Sequence, residues 1–330
     1  MKQRWRVVGR ALLAVAGLGV VAYLVHNAGP ERVASVLWRA GQWLPLILAL
    51  EVVQLGCDVV ALRSILREHA ARIPGATWLR TTIISYAMMI LVPAGRAAGE
   101  VTRAAMFSRH VGAPRAATTS TALQAGYLAA NGVLSIAAFV AVASRVGPGS
   151  PLALLLAGNV VFQAVVAGGL LAILRDARVG RWLGRMRRRL LPHAAESPPL
   201  DPVDRRRIPW RACLVSCFGR TAQVLQYGVV LHAVGGVFSL GNSFVAHGIH
   251  LVGATLGDMV PNQIGVTDSA YRAFAGDLGF SDEPARALSI ALVVRIAQLS
   301  LAAACVVVVA VTRPSPVAPS PASARADARS

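Results

Sequence analysis

Lysine is all but missing from this chain: Lys2 is the only one, and the rest of the basic charge is arginine. Acids are scarce as well, 15 Asp and Glu against 33 Lys and Arg, so charged residues make up only 15% of 330 and the net charge is +18. A soluble domain carries about a quarter charged residues, so the shortage argues against a water-soluble fold. Aromatics stand at 6%, too few for base-stacking platforms, and the arginines interrupt long apolar runs instead of decorating polar helices. No nucleic-acid partner is expected. The four cysteines, Cys57, Cys213, Cys217 and Cys305, all fall in apolar stretches without a neighbouring His in ligand spacing. They read as small buried hydrophobes, with neither metal nor cofactor implied. HExxH, GxSxG, P-loop and Gly-rich dinucleotide motifs are missing too, so no enzyme activity is expected.

Apolar residues are abundant, at 55%. A bilayer core needs about 20 of them per helical crossing. Candidate spans are Val7–Val25, Leu44–Leu62, Ala122–Ala143, Leu152–Leu174, Trp210–Val234 and Ala287–Thr312. Two further stretches, Thr81–Val92 and Phe244–Val260, are shorter or more polar, and each ends at a Val-Pro pair. The basic start (Lys2, Arg4, Arg6) precedes an apolar run without a small-residue cleavage site, which suits an uncleaved anchor.

Charge decides the topology. The linker Arg175–Arg211 holds eleven Arg against Asp176, Glu196, Asp201 and Asp204, a net +7, and belongs with the N-terminus on the cytoplasmic side. That requires an even number of crossings between them, so Thr81–Val92 must dip in and return. Segment Ala94–Ala117, at net +3, suits the same side, while Gln263–Arg286, at net −2, suits the opposite one, so Phe244–Val260 dips in from outside. The expectation is an all-α polytopic integral membrane protein of about six full transmembrane helices plus two re-entrant helical hairpins. Its parts are a first membrane half, 1–174, with a re-entrant segment at 81–117; a cytoplasmic linker, 175–209; a second half, 210–312, with a re-entrant segment at 244–286; and a disordered tail, 313–330. Both termini fall in the cytoplasm.

The two short segments are followed by similar strings. Val92-Pro93 leads to Glu100 and Arg103, and Val260-Pro261 leads to Asp268 and Arg272, with the acid seven residues after the proline in both. Proline frees backbone carbonyls that need polar cover inside a bilayer. Inverted repeats built around broken helices, with substrate at the repeat interface, are a recurrent transporter plan. A plain helix end at the interface is the competing reading.

Polar residues recur at helical spacing inside the spans: Glu51, Gln54 and Asp58; Gln124, Tyr127 and Asn131; Asn159 and Gln163; Arg220, Gln223 and Tyr227; Arg295 and Gln298. A mid-bilayer charge costs at least about 2.5–3.5 kcal/mol, so these groups should face inward and pair. Glu51 or Asp58 with Arg220 or Arg295 are the expected ion pairs, and the neutral polar residues suit interhelical ties. His247, His250 and Asp258 dot the second short segment, the histidines as core or headgroup-level residues. Glu100 and Asp268 sit in first turns, where the helix dipole favours an acid, and Arg103 and Arg272 stand at ion-pair spacing from them. In the linker, Val179, Trp182, Leu183, Met186 and Leu190 oppose Arg178, Arg181, Arg185 and Arg188. That makes 178–190 a basic amphipathic helix for an anionic leaflet surface.

Through Pro93-Ala-Gly95-Arg96-Ala-Ala-Gly99-Glu100-Val-Thr-Arg103 and Pro261-Asn262-Gln263-Ile-Gly265-Val-Thr-Asp268, the chain resembles the lysylphosphatidylglycerol synthase transmembrane-region family of flippase-like membrane proteins. The similarity spans about residues 5 to 312. Asn262-Gln263 stands where members carry glycines, and Asp268 where they carry glutamate. The resemblance implies re-entrant helices and movement of lipids, or lipid-linked intermediates, between leaflets. Synthase members add a soluble domain, so aminoacyl transfer is not expected here.

The leading expectation is therefore a translocator of an anionic-headgroup lipid, with membrane lipids as partners and homo-oligomerisation left open. Arg96, Arg103, Arg220, Arg272 and Arg295 would meet the headgroup phosphate, with Glu51, Asp58, Glu100 and Asp268 as exchangeable partners. Pro93, Asp258, Pro261, Asn262 and Gln263 would line the same groove. The alternatives are a non-transporting scaffold for envelope-lipid (hopanoid or lipid-linked glycan) biosynthesis and an intramembrane lipid-modifying enzyme.

Overall fold

The computed structural model describes residue 19 and residues 22–92, 95–175, 210–258 and 260–312. Most of the expected first span, Pro93, the expected surface helix 178–190 with the rest of 176–209, and the tail 313–330 lie outside the described residues. Among those described, every regular element is helical. The helices are α1 (Pro30–Ala40), α2 (Leu44–Leu66), α3 (Gly75–Leu91), α4 (Gly95–Val111), α5 (Ala113–Val146), α6 (Pro151–Arg175), α7 (Trp210–Ala233), α8 (Leu240–Gly257), α9 (Val266–Ala273) and α10 (Pro284–Val311). Short 3-10 turns join several of them.

Four stretches are long and apolar enough to cross a bilayer: Pro30–Arg72, Ala113–Val146, Pro151–Arg175 and Pro284–Val311. They account for four of the six expected crossings. The fifth, α7, has 24 residues, about 36 Å of helix, but Arg211, Arg220, Gln223, Gln226 and His232 dilute its apolar character. The large apolar side chains left on the outside, among them Val133, Ile136 and Val140 of α5 and Val161, Phe162 and Val165 of α6, form the surface that hydrocarbon covers. A soluble monomer rarely leaves patches of that extent in water.

The architecture repeats. Helices α2–α5 and α7–α10 each run long helix, hairpin of two helices, long helix. The opening helices α2 and α7 pack antiparallel, with Glu51 level with Gln226 and Cys57 beside Gly219. Each hairpin's first arm lies on the long helix that closes the other repeat: α3 on α10, and α8 on α5. The exchange interlocks the repeats.

Each hairpin leaves and rejoins the bundle at one end. Arm α3 begins beside Ile73 and Trp78, and α4 returns to the same place, where Phe107 meets Trp78 edge to face at 4.8 Å. That end also gathers Ile65, Leu66, Ala116 and Ala212. Arm α8 starts at the other end, where the Arg145 guanidinium donates to Asn242 Oδ1 at 2.5 Å. The chain returns there through α9 to Phe280, in a core shared with Val36, Val142 and Val234. The arms of the first hairpin touch at Gly95 and Gly99, where a Cβ would stand 1.9 Å from Met89 O and 2.9 Å from Ser85 O. Small residues let backbones approach where burial from water cannot drive helices together. Both first arms begin earlier than their apolar runs, at Gly75 and Leu240 instead of Thr81 and Phe244. The added turns carry Thr77, Arg80 and Asn242, polar residues that suit a membrane–water boundary.

Candidate polar site between the hairpin tips

The first hairpin bends after Val92, which is extended (φ −107°, ψ 141°), as the residue before a proline tends to be. The second bends through Asp258 and the 3-10 turn Pro261–Gln263, where Asn262 and Gln263 both have positive φ, 46° and 54°. Two consecutive non-glycine residues in that region store local strain. Arm α3 touches the turn Pro261–Gln263, so the tips meet inside the bundle.

One cluster surrounds the first tip. Arg103 Nη1 donates to Glu100 Oε1 at 2.6 Å, with the side chains only 9% and 15% exposed. Asp58 sits in the field of Arg103, Arg220 and Arg96, beside Tyr127, and the Arg220 guanidinium lies 4.8 Å above the Tyr127 ring. Arg96, from the first tip, also feels Asp258, from the second. Two charged groups here lack close ionic partners: neither Arg96 nor Asp58 forms an ion pair within 4 Å among the described residues. Tyr127 lies within hydrogen-bonding reach of Asp58, and Ser120 of Glu100, contacts too loose to saturate the buried Glu100 Oε2 and Tyr127 hydroxyl. The cluster can therefore accept further polar groups.

The second tip is closed. Asp268 is fully buried and takes a two-pronged grip from Arg295, Nη1 to Oδ1 at 2.9 Å and Nη2 to Oδ2 at 2.8 Å, plus the Gly265 backbone N–H at 2.8 Å. A cavity of about 20 Å³ adjoins it, lined by Tyr227, His250, Asn262, Gln263, Thr267 and Arg295 among others. That is room for about one water. Asn262 Nδ2 and Arg295 Nε are buried there without partners. His250 stacks on Tyr227 at 4.9 Å, and His247 sits 5.6 Å from the same ring.

Several expected pairings are corrected. Glu51 pairs with neither Arg220 nor Arg295; it accepts from Gln226 Nε2 at 2.8 Å and from the Tyr86 hydroxyl at 3.1 Å. The antiparallel register of α2 and α7 is the reason: it sets Gln226 opposite Glu51 and brings Arg220 level with Asp58, about two turns away. Asp268 pairs with Arg295 instead of Arg272, because a buried carboxylate gains more from a planar two-pronged guanidinium than from one i,i+4 contact. Arg272 stays outside both clusters, with Nη1 buried and unpartnered. Cys213 and Cys217 are half-buried, unlike Cys57 and Cys305.

The structure brings together Asp58, Arg96, Glu100, Arg103, Arg220 and Asp258 in one field, and Asn262, Gln263 and Arg295 around the cavity with Asp268 held by Arg295, while Glu51 sits on Gln226 and Tyr86. The described residues do not include Pro93, and the Pro261 side chain is not among the described groups. Asn159 ties three helices through Ser135, Thr255 and Gln163, at 2.9, 2.9 and 3.5 Å. Tyr86, Gln226 and Thr267 were not singled out from sequence; Gln226 lies three residues beyond Gln223 on the same polar stripe, the signal that could have found it.

The fold and this polar seam define a multi-pass helical membrane domain with a repeated, hairpin-bearing core. The profile of the family described as the lysylphosphatidylglycerol synthase TM region matches residues 7–305, and the chain belongs to that family. No curated protein matches it.

Proposed function

We propose that the chain translocates an anionic-headgroup lipid, or a lipid-linked intermediate, between the leaflets of the bacterial cytoplasmic membrane, with no chemical step of its own. The observation that carries the reading is the joint field of Arg96 and Asp258, one from each tip, around Asp58, Glu100, Arg103 and Arg220. In a low-dielectric interior, underpaired guanidiniums attract a phosphate strongly, and the neighbouring carboxylates can take over their charge when it leaves. Acyl chains stay outside, against the apolar outer surface. Rocking of one repeat against the other exposes the seam to each leaflet in turn.

Charge supports the orientation. The end that holds Arg63, Arg72, Arg109, Arg115, Arg175 and Arg211 faces the cytoplasm, and the end with Asp277, Asp282 and Glu283 faces out. Both termini are then cytoplasmic, and the basic stretch 178–190 falls on the side of the anionic inner leaflet.

Reconstitution into liposomes with a panel of fluorescent lipids and a leaflet-specific quencher tests the proposal. Acceleration is expected for at least one anionic headgroup, with a loss of tenfold or more in Arg103→Ala, about that for a desolvated charged contact, and partial retention in Arg103→Lys. No acceleration for any headgroup would overturn it.

A further inference from the structure

A second cleft lies far from the seam, at the end of the bundle where the second hairpin starts. It has a volume of about 220 Å³, roughly seven waters' worth. The lining includes Arg39, Gln42, Trp43, His232, Gly235 and Arg286. These residues come from the end of α1, the turn after it, the end of α7 and the start of α10, and none belongs to the tip clusters.

The chemistry is that of an anion site. Arg39 is exposed and makes no ion pair among the described residues. Arg286 pairs with Glu283 and donates to Gly235 O at 3.4 Å. Trp43 meets His232 edge to face at 5.1 Å, so two guanidiniums and an imidazole stand around an aromatic floor. Large apolar side chains are exposed next to the lining residues in the chain: Trp38, beside Arg39, is 88% exposed, and Val237, Phe238 and Leu240, which follow Gly235, also point outward. An amphipathic helix that buries Val33, Val36 and Ala40 and shows Trp38 outward is what lies at a membrane–water boundary.

We propose that this cleft binds the phosphodiester headgroup of an anionic phospholipid in the leaflet at that end. Arg39 and Arg286 hold the phosphate oxygens, Gln42 and His232 add donors, and the exposed apolar side chains that adjoin them in the chain receive the first acyl carbons. A free phosphate would use the guanidiniums but leave those side chains idle. The lipid is held here at equilibrium, whether or not the chain moves lipid through the seam.

The full chain, purified in lipid-free detergent, is titrated with short-chain phosphatidylglycerol, with phosphatidylcholine and with inorganic phosphate, and bound molecules are counted by native mass spectrometry. Phosphatidylglycerol is expected to bind at least about tenfold more tightly than the other two, and the double variant Arg39→Gln/Arg286→Gln to lose tenfold or more. Arg39→Lys/Arg286→Lys keeps the charge and should stay within about threefold of the parent, which separates site loss from misfolding. Glu283→Gln removes the competitor for Arg286 and should tighten binding about threefold. Arg32→Gln and Arg145→Gln, at the same end but outside the cleft, should change nothing. Undiminished binding in the double Gln variant, equal binding of phosphatidylcholine, or displacement of the lipid by equimolar phosphate would each overturn the assignment. Translocation is not read, so failure of this site and failure of the transport reading stay distinct.

Discussion

The two hairpins share a plan and differ in how their acids are held. In the second, Asp268 is sealed by a guanidinium from another helix and by a backbone N–H, and it has no solvent exposure. In the first, Glu100 has one ionic partner three residues along its own helix and a weaker hydroxyl neighbour in Ser120, with Asp58 and Arg96 nearby that make no ion pair within 4 Å among the described residues. The same acid-after-proline string thus yields an acid latched to another helix in one repeat and an acid paired within its own helix in the other. The distinction comes from what the neighbouring long helix offers. On α10 it is Arg295; on α5 it is neutral Gln124, Tyr127 and Asn131.

The comparison can be broken by exchanging what each tip can lose. The largest effect is expected for Asp268→Asn, which leaves the Arg295 charge buried without its counter-ion. Breaking such a pair costs about 3–5 kcal/mol, seen as a fall in the thermal midpoint in detergent, and Asp268→Asn/Arg295→Gln should recover part of it. If Asp268→Asn melts like the parent, the second tip is not a fastener. Next comes Gly95→Ala. Its Cβ would stand 1.9 Å from Met89 O, so the arms must part, at about 1–3 kcal/mol or more, with loss of folded yield. Gly253→Ala in the second hairpin, with its nearest neighbour at 3.0 Å, should cost less.

Glu100→Gln sharpens the contrast from the other side. Its partner Arg103 keeps Asp58 within its field, so stability should fall by about 1 kcal/mol or less, while lipid movement in liposomes drops tenfold or more. A large stability loss with transport intact would reverse the roles of the tips. The smallest effect belongs to Asn262→Gly, which removes the steric strain of φ 46°. A gain approaching 1 kcal/mol in midpoint stability is expected, offset in part by the freedom glycine adds to the unfolded chain.

Much of this was legible beforehand. Leu44–Leu62, Ala122–Ala143 and Leu152–Leu174 lie within helices long and apolar enough to cross, and Ala287–Thr312 overruns its helix by one residue, since length and hydropathy are local properties. The Glu100–Arg103 pair was legible for the same reason, being a matter of spacing within one helix. The stripe through Glu51 marks a polar face but does not give its partner, Gln226 instead of an arginine, because it says nothing about the register of the helix opposite. The Arg39–Arg286 cleft left no trace, since its residues are some 250 positions apart and each looks like an ordinary interfacial charge.

Composition and periodicity by themselves determined that this chain is helical and membrane-embedded, which stretches are apolar enough to cross, and that its charges lie on inward stripes. Those properties follow from backbone hydrogen bonding in hydrocarbon and from the cost of burying charge, both of which act residue by residue. Only the tertiary structure decided that Asp268 meets Arg295 and Glu51 meets Gln226, that the tips touch, and that one of them is latched. Those outcomes depend on the register between helices, to which the repeat distance within each helix is blind.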